Sequence, residues 1–169
     1  MNATQQKEGS CTVGKQHFTV VNRDSTLKLD ELNARLLSRH TAESLSGGYG
    51  GDATSKGTFV IFRLAVTNKT HQPQMFDESQ DQVVLLLGKD RYTEDFNAEN
   101  GPDQSSFTWR SAEIQPDQTT TGEAVFDIPN DRLAELDTNG NLYVLNFSDA
   151  DSYGRPSVLG TIRTYPPKS

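Results

Sequence analysis

Hydrophobic and polar residues alternate most regularly in Thr58-Phe-Val-Ile-Phe-Arg-Leu-Ala-Val-Thr-Asn68. Val60, Phe62, Leu64 and Val66 fall on one face, and Arg63 and Thr67 on the other. A period of two predicts a strand with one face in a core. Shorter segments of the same kind occur at residues 17–22, 83–87, 107–114, 121–128, 142–147 and 157–165. Residues 83–92 read as a hairpin around Gly88-Lys-Asp, its second strand ending near Phe96. The separators are turn formers: residues 68–73, Gly101-Pro102, Pro116, and Asn139-Gly140 as a tight turn. Residues 131–136 suffice for one short helical turn.

Two stretches break the pattern. In residues 26–39, Leu29, Leu32, Leu36 and Leu37 lie at helical spacing. Leu27 and Leu29, then Leu32, Ala34 and Leu36, alternate instead like a strand with one slip, as a bulge would produce. The residues alone leave both readings open. Residues 41–56 hold Gly47-Gly-Tyr-Gly-Gly51 among Ser and Thr, and read as a flexible loop. The pattern predicts an all-β, antiparallel β-sandwich of about 8–9 strands, since no helix is long enough for parallel crossovers. The domain spans residues 13–165, between a disordered tail at 1–12 and a short tail at 166–169.

Composition adds limits. A chain of 169 residues can bury a core without disulfides. With 16 basic and 23 acidic residues its charge is −7, which argues against nucleic acid or anionic membranes as partners. No apolar run approaches the ~18 residues of a membrane span. The polar start, Met1 to Ser10, is no secretory signal, so the expectation is a cytosolic protein or one whose export segment is absent from this chain. Cys11 is the only cysteine. A lipid-anchor cysteine follows small and apolar residues, and Glu8-Gly-Ser10 does not fit, so Cys11 reads as an incidental thiol.

Candidate chemistry is sparse. Gly9-Ser-Cys-Thr-Val-Gly-Lys-Gln16 nearly spells a phosphate-binding loop, but Gln16 stands where a magnesium-binding Ser or Thr belongs. His17, His40 and His71 share no metal-ligand spacing. Asp149 and Asp151 begin a calcium-like pattern, but Gly160 stands where its bidentate Glu belongs, so no cofactor is expected. Asp137-Thr-Asn-Gly-Asn141 has similar oxygens but reads as a hairpin turn. Asp77, Glu78 and Asp81 form an acidic cluster of the kind that is usually solvated. Trp109 reads as core. Tyr49, between glycines, is a candidate anchor for a partner, and Glu99 and Asp103 lie on a second long loop. Asn2, Asn68 and Asn146 match the N-glycosylation pattern, which matters only in a eukaryotic secretory pathway.

Three segments together resemble a known family. They are the strand ending in Val66-Thr-Asn68, the hairpin Val84-Leu-Leu-Leu-Gly-Lys-Asp-Arg-Tyr92, and Ile114-Gln-Pro-Asp-Gln followed by Gly122-Glu-Ala-Val-Phe-Asp-Ile-Pro129. They resemble the telokin-like domain of bacterial secreted proteins and lipoproteins, the type of the mycobacterial immunoprotective extracellular antigen. The resemblance spans residues 13–165 and is sharpest over 59–129. Asp117 stands where the family often has Gly, which bears on the turn type. The resemblance implies an immunoglobulin-like β-sandwich, export, no catalytic residues and a strand at residues 26–39. The functional expectation is a non-catalytic exported or cell-surface module binding a protein or glycan through its loops. The alternative is an enzyme inhibitor or hydrolase using Asp77, Glu78, Asp149 and Asp151.

Overall fold

A computed structural model describes residues 8–13, 16–48, 51–75, 83–95, 113–149 and 158–166. Ten strands follow in chain order: β1 (Gly9–Val13), β2 (Gln16–Val21), β3 (Leu27–Lys28), β4 (Leu32–Gly48), β5 (Gly51–Asn68), β6 (Val83–Leu87), β7 (Asp90–Tyr92), β8 (Thr119–Ile128), β9 (Gly140–Val144) and β10 (Val158–Arg163). Two 3-10 helices, Asn130–Asp137 and Phe147–Asp149, flank β9. One sheet has six strands in the order β1-β2-β10-β9-β6-β7, and the other has four in the order β3-β4-β5-β8. The β-sandwich is thus as the alternation predicts. One pair, β2 with β10, runs parallel.

The core lies between the sheets. β5 supplies Val60, Phe62, Leu64 and Val66, as predicted, beside Ala124 and Phe126 of β8. Val83, Leu85, Leu142, Val144 and Ile162 complete the same core from the six-stranded sheet. The rings of Phe62 and Phe126 meet edge to face, centroids 5.9 Å apart. A second cluster, Phe59, Ile61 and Val125, is buried on the opposite face of the four-stranded sheet, with Ala42 and Leu45 packed against it. Over residues 59–62 β5 is therefore buried on both faces, and Val125 belongs to the outer cluster.

The stretch at residues 26–39 is strand. Leu32, Ala34 and Leu36 point inward and are buried. Leu37 is an extra residue: Leu36 pairs with Leu64 and Ser38 with Arg63, so Leu37 has no opposite number. That bulge leaves Leu37 46% exposed and explains the leucine that broke the alternation.

Three expectations are corrected. Residues 41–48 and 51–56 are not a loop but the distal parts of β4 and β5, which are 17 and 18 residues long. Their glycines and small polar residues pair across a ribbon, with further register shifts between Ala42 and Ser44 and between Leu45 and Gly48. Residues 9–12 are not tail; β1 pairs with β2 from Gly9↔Val20 to Val13↔Gln16. Asn139-Gly140 does turn the chain, but it joins a 3-10 helix to β9 instead of joining two strands.

Two turns show how the polar residues at strand ends work. The Asn68 side chain is fully buried at the end of β5. Its amide N–H groups donate to the carbonyls of Gln72 at 2.7 Å and Ile114 at 2.8 Å. Its Oδ1 accepts from the Thr70 N–H at 2.9 Å and the Thr70 hydroxyl at 2.7 Å. One side chain thus ties the turn after β5 to the approach to β8. In that approach Gln118 N–H bonds the Gln115 carbonyl at 2.9 Å, with Pro116 and Asp117 between them. Asp117 has φ 62°, the left-handed region expected at the third position of a type II turn.

Candidate functional site

The β4–β5 ribbon outruns its neighbours. β8 accompanies β5 only as far as Thr58↔Ile128, and β3 pairs only with Asn33 and Ala34 of β4. Beyond these points Ser44↔Thr54, Leu45↔Ala53 and Gly48↔Gly51 form a two-stranded arm, unpaired on either side among the described residues. An isolated two-stranded ribbon is marginal in water, so its root matters. There the Asp127 carboxylate accepts the N–H groups of Lys56 at 2.8 Å and Gly57 at 3.2 Å. The Ser55 hydroxyl contacts the carbonyls of Glu43 at 3.0 Å and Gly57 at 2.8 Å. Thr58 donates its hydroxyl to Asn130 Oδ1 at 2.6 Å. A β-carbon on Gly57 would stand 2.2 Å from the Ile128 carbonyl oxygen, so the crossing there requires glycine.

The charge distribution gives β4 a basic flank. Arg35, His40 and Arg63 are exposed. Register places Arg35 opposite Ala65, and Arg63 between Ser38 and Glu123. Neither Arg35 nor Arg63 joins an ion pair among the described residues. Arg39, after the bulge, turns to the inner side and pairs with Asp137 at 2.9 Å. The oxygen of Asp137 is therefore in use against an arginine.

Other charged groups brace the fold. Arg132 forks onto Glu135 through Nε at 3.0 Å and Nη2 at 2.8 Å, meets Asp90, and donates to the Leu87 carbonyl at 3.0 Å. Glu135 and Asp90 hold that guanidinium more firmly protonated than usual. Glu31 accepts the Ser148 N–H at 2.9 Å and the Ser148 hydroxyl. Glu8, at the foot of β1, accepts the Ser25 hydroxyl and the Asn22 N–H, which lower its pKa in that order. Asn22 in turn accepts from Arg163 Nη1 at 2.9 Å. Arg163 is buried and lies over the Tyr165 ring at 5.9 Å.

The predicted site residues are mostly not brought into view. Tyr49, Asp77, Glu78, Asp81, Glu99, Asp103, Trp109 and Asp151 lie outside the described residues. Asp149 ends the second 3-10 helix. Asn68 and Asn146 are buried and engaged, the latter accepting the Glu31 N–H at 3.2 Å, so neither amide is presented for glycosylation. His40 and His71 are exposed. Among the described residues no group of three or more His, Cys, Asp and Glu is placed to hold a metal. Among them, no helix is long and apolar enough to cross a membrane. Arg63 faces away from the core as the alternation predicts. The features missed from sequence are the ribbon and the exposed Arg35 beside it, for which the signal available was the basic run Arg35-Leu-Leu-Ser-Arg-His40 in an acidic chain.

Comparison with known proteins agrees with this fold. The profile described as Domain of unknown function (DUF4352) matches residues 6–147. Among curated proteins none matches the sequence. Of solved structures, the yjhA protein from Bacillus subtilis is similar, with TM-score 0.56, 12% identity, and 82% of this chain and 95% of that one covered. MPT63, a secreted protein from Mycobacterium tuberculosis, gives TM-score 0.52 at 14% identity, covering 88% of this chain and 96% of that one. A candidate lipoprotein from Staphylococcus aureus gives TM-score 0.50 at 10% identity, with 94% of each chain covered.

Proposed function

The chain belongs to the DUF4352 family of domains of unknown function, and from that premise we propose a non-catalytic, exported module that binds a protein or glycan partner at the cell surface. The observation that carries this reading is the ribbon: two strands reach past the sheet and are fastened at their root by Asp127 and Ser55. An arm rooted in this way, with backbone edges unpaired among the described residues, is suited to contact a partner. The described carboxylates Glu8, Glu31, Asp127 and Asp137 are spent on backbone N–H groups, hydroxyls and arginines that fix the frame. Export draws support from similar structures described as secreted or as a candidate lipoprotein.

The test is localisation followed by capture. Fractionation of native cells should place the protein outside the cytoplasm. The immobilised chain should retain an identifiable protein or glycan from the surface fraction, and a form shortened across residues 47–52 should retain less. Confinement to the cytoplasm would overturn export. Turnover of ester, peptide or glycoside substrates that Asp149→Asn or Asp151→Asn abolishes would overturn the non-catalytic reading.

A further inference from the structure

We propose that the open edge of β4 at residues 38–42, flanked by Arg35 and Arg63, takes up an acidic, extended polypeptide segment as an added strand of the four-stranded sheet. This deepens the partner-binding reading above and rests on it. Four observations lead there. First, β3 covers β4 only at Asn33 and Ala34, so beyond Ala34 that edge is unpaired among the described residues. Second, residues 38–42 are a regular stretch between two bulges, in unbroken register with residues 59–63 of β5. The opposite edge therefore presents regularly spaced N–H and C=O groups, the template for strand addition. Third, Arg35 and Arg63 are exposed on the outer side of the sheet, one at the start of that stretch and one beside Ser38. Fourth, Leu37, 46% exposed, stands between them on the bulge and offers an apolar contact.

The charge balance selects the occupant. The chain carries −7 overall, which repels an extended polyanion along most of its surface. A short strand with one or two carboxylates meets only the local arginines. Glu123 beside Arg63 is buried and Glu43 is the bulged residue at the far end of the stretch, so neither carboxylate stands beside Arg35. Bulges usually protect an edge from indiscriminate pairing. Here they bound the open stretch on both sides, which limits pairing to a short segment. A polyanion without a peptide backbone would use the arginines but leave the edge groups unpaired.

The probe is a short blocked peptide alternating glutamate and valine, titrated into the full isotope-labelled chain. Expected are amide shifts at residues 38–42 and slowed hydrogen exchange there. Arg35→Glu with Arg63→Gln should weaken binding by about tenfold or more while leaving the spectrum of the free protein native, since both side chains are exposed and glutamine sets no second carboxylate opposite Glu123. A lysine–valine peptide should not bind. The proposal is overturned if a proline at the central valine leaves affinity unchanged, or if polyphosphate binds equally well without protecting the amides. It is also overturned if the free chain already self-associates through this edge, or if residues 38–42 stay silent at millimolar peptide. Surface capture that persists in the double variant would sink this edge alone and leave the broader reading standing.

Discussion

The side-chain amide of Asn68 donates to the carbonyl oxygen of Ile114 at 2.8 Å, across 46 residues of chain. The same group closes its own turn through Thr70 and Gln72. Asn68→Ala removes the side-chain bonds to Gln72, Ile114 and Thr70 from a buried site, although the Ile114 carbonyl keeps the Gln74 N–H and the Gln72 carbonyl keeps the Thr70 hydroxyl, and should cost about 2–3 kcal/mol in chemical denaturation. Asn68→Asp should do no better, because a carboxylate has no N–H for Ile114. A loss under about 1 kcal/mol for either would show that water replaces the amide at little cost.

Phe62 is fully buried against Phe126, whereas Leu37 sits on a bulge facing solvent. Phe62→Ala should destabilise by about 3–5 kcal/mol. Leu37→Ala should stay within about 0.5 kcal/mol of the parent. Equal effects in a thermal melt would contradict the assignment of inner and outer faces along β4 and β5.

Asp117 holds a left-handed backbone conformation, φ 62°, which glycine adopts without steric conflict. Its carboxylate meets Lys69 at 3.0 Å, but both groups are well exposed and the pair is worth little. Asp117→Gly should therefore be neutral or stabilising by about 0.5–1 kcal/mol. A clear loss of stability would mean that the Lys69 contact outweighs the backbone term.

Glu8 secures the start of β1 through Ser25 and Asn22, and its pKa is lowered in the folded protein. A lowered carboxyl pKa contributes stability that is present above the unfolded value of about 4.3 and is lost as pH falls through the folded value. The protection of the β1 amides, measured as exchange relative to the intrinsic rate at each pH, should fall as the solution is acidified through that window. Glu8→Gln should flatten the dependence, and an unaltered profile in that variant would assign the acid response elsewhere.

What the sequence disclosed depended on how local the cause was. Alternation at Val60, Phe62, Leu64 and Val66 is a property of neighbouring residues, and those positions do line the core. The continuous apolar run from Phe59 to Phe62 carried a second message, burial on both faces, which a single-face reading overlooks. β4 was harder because the bulges at Leu37 and Glu43 reset the period of two. The arm has the composition of a loop because its glycines and small polar residues favour conformational freedom, whereas cross-strand pairing and the Asp127 clamp decide the outcome. Asn68 was legible as a motif residue and a turn signal, but its function depends on Ile114, too distant for any local rule. Asp117 was flagged by resemblance as an unusual occupant, and its positive φ supplies the reason. The candidate loop residues Tyr49, Glu99 and Asp103 lie outside the described residues.

The parallel pair of β2 and β10 has a mechanical consequence. β2 near one end of the domain and β10 near the other run side by side, from Val158↔His17 to Ile162↔Val21. Tension drawn through the two ends of the domain would pull these strands in opposite directions along their length. Their hydrogen bonds would then bear load together, in shear, instead of opening one after another as at the end of a hairpin. The domain should resist stretching between residues flanking β2 and β10 at higher force than stretching across the β6–β7 hairpin, a difference that single-molecule force spectroscopy with the two attachment geometries can read. Equal unfolding forces would show that another element yields first.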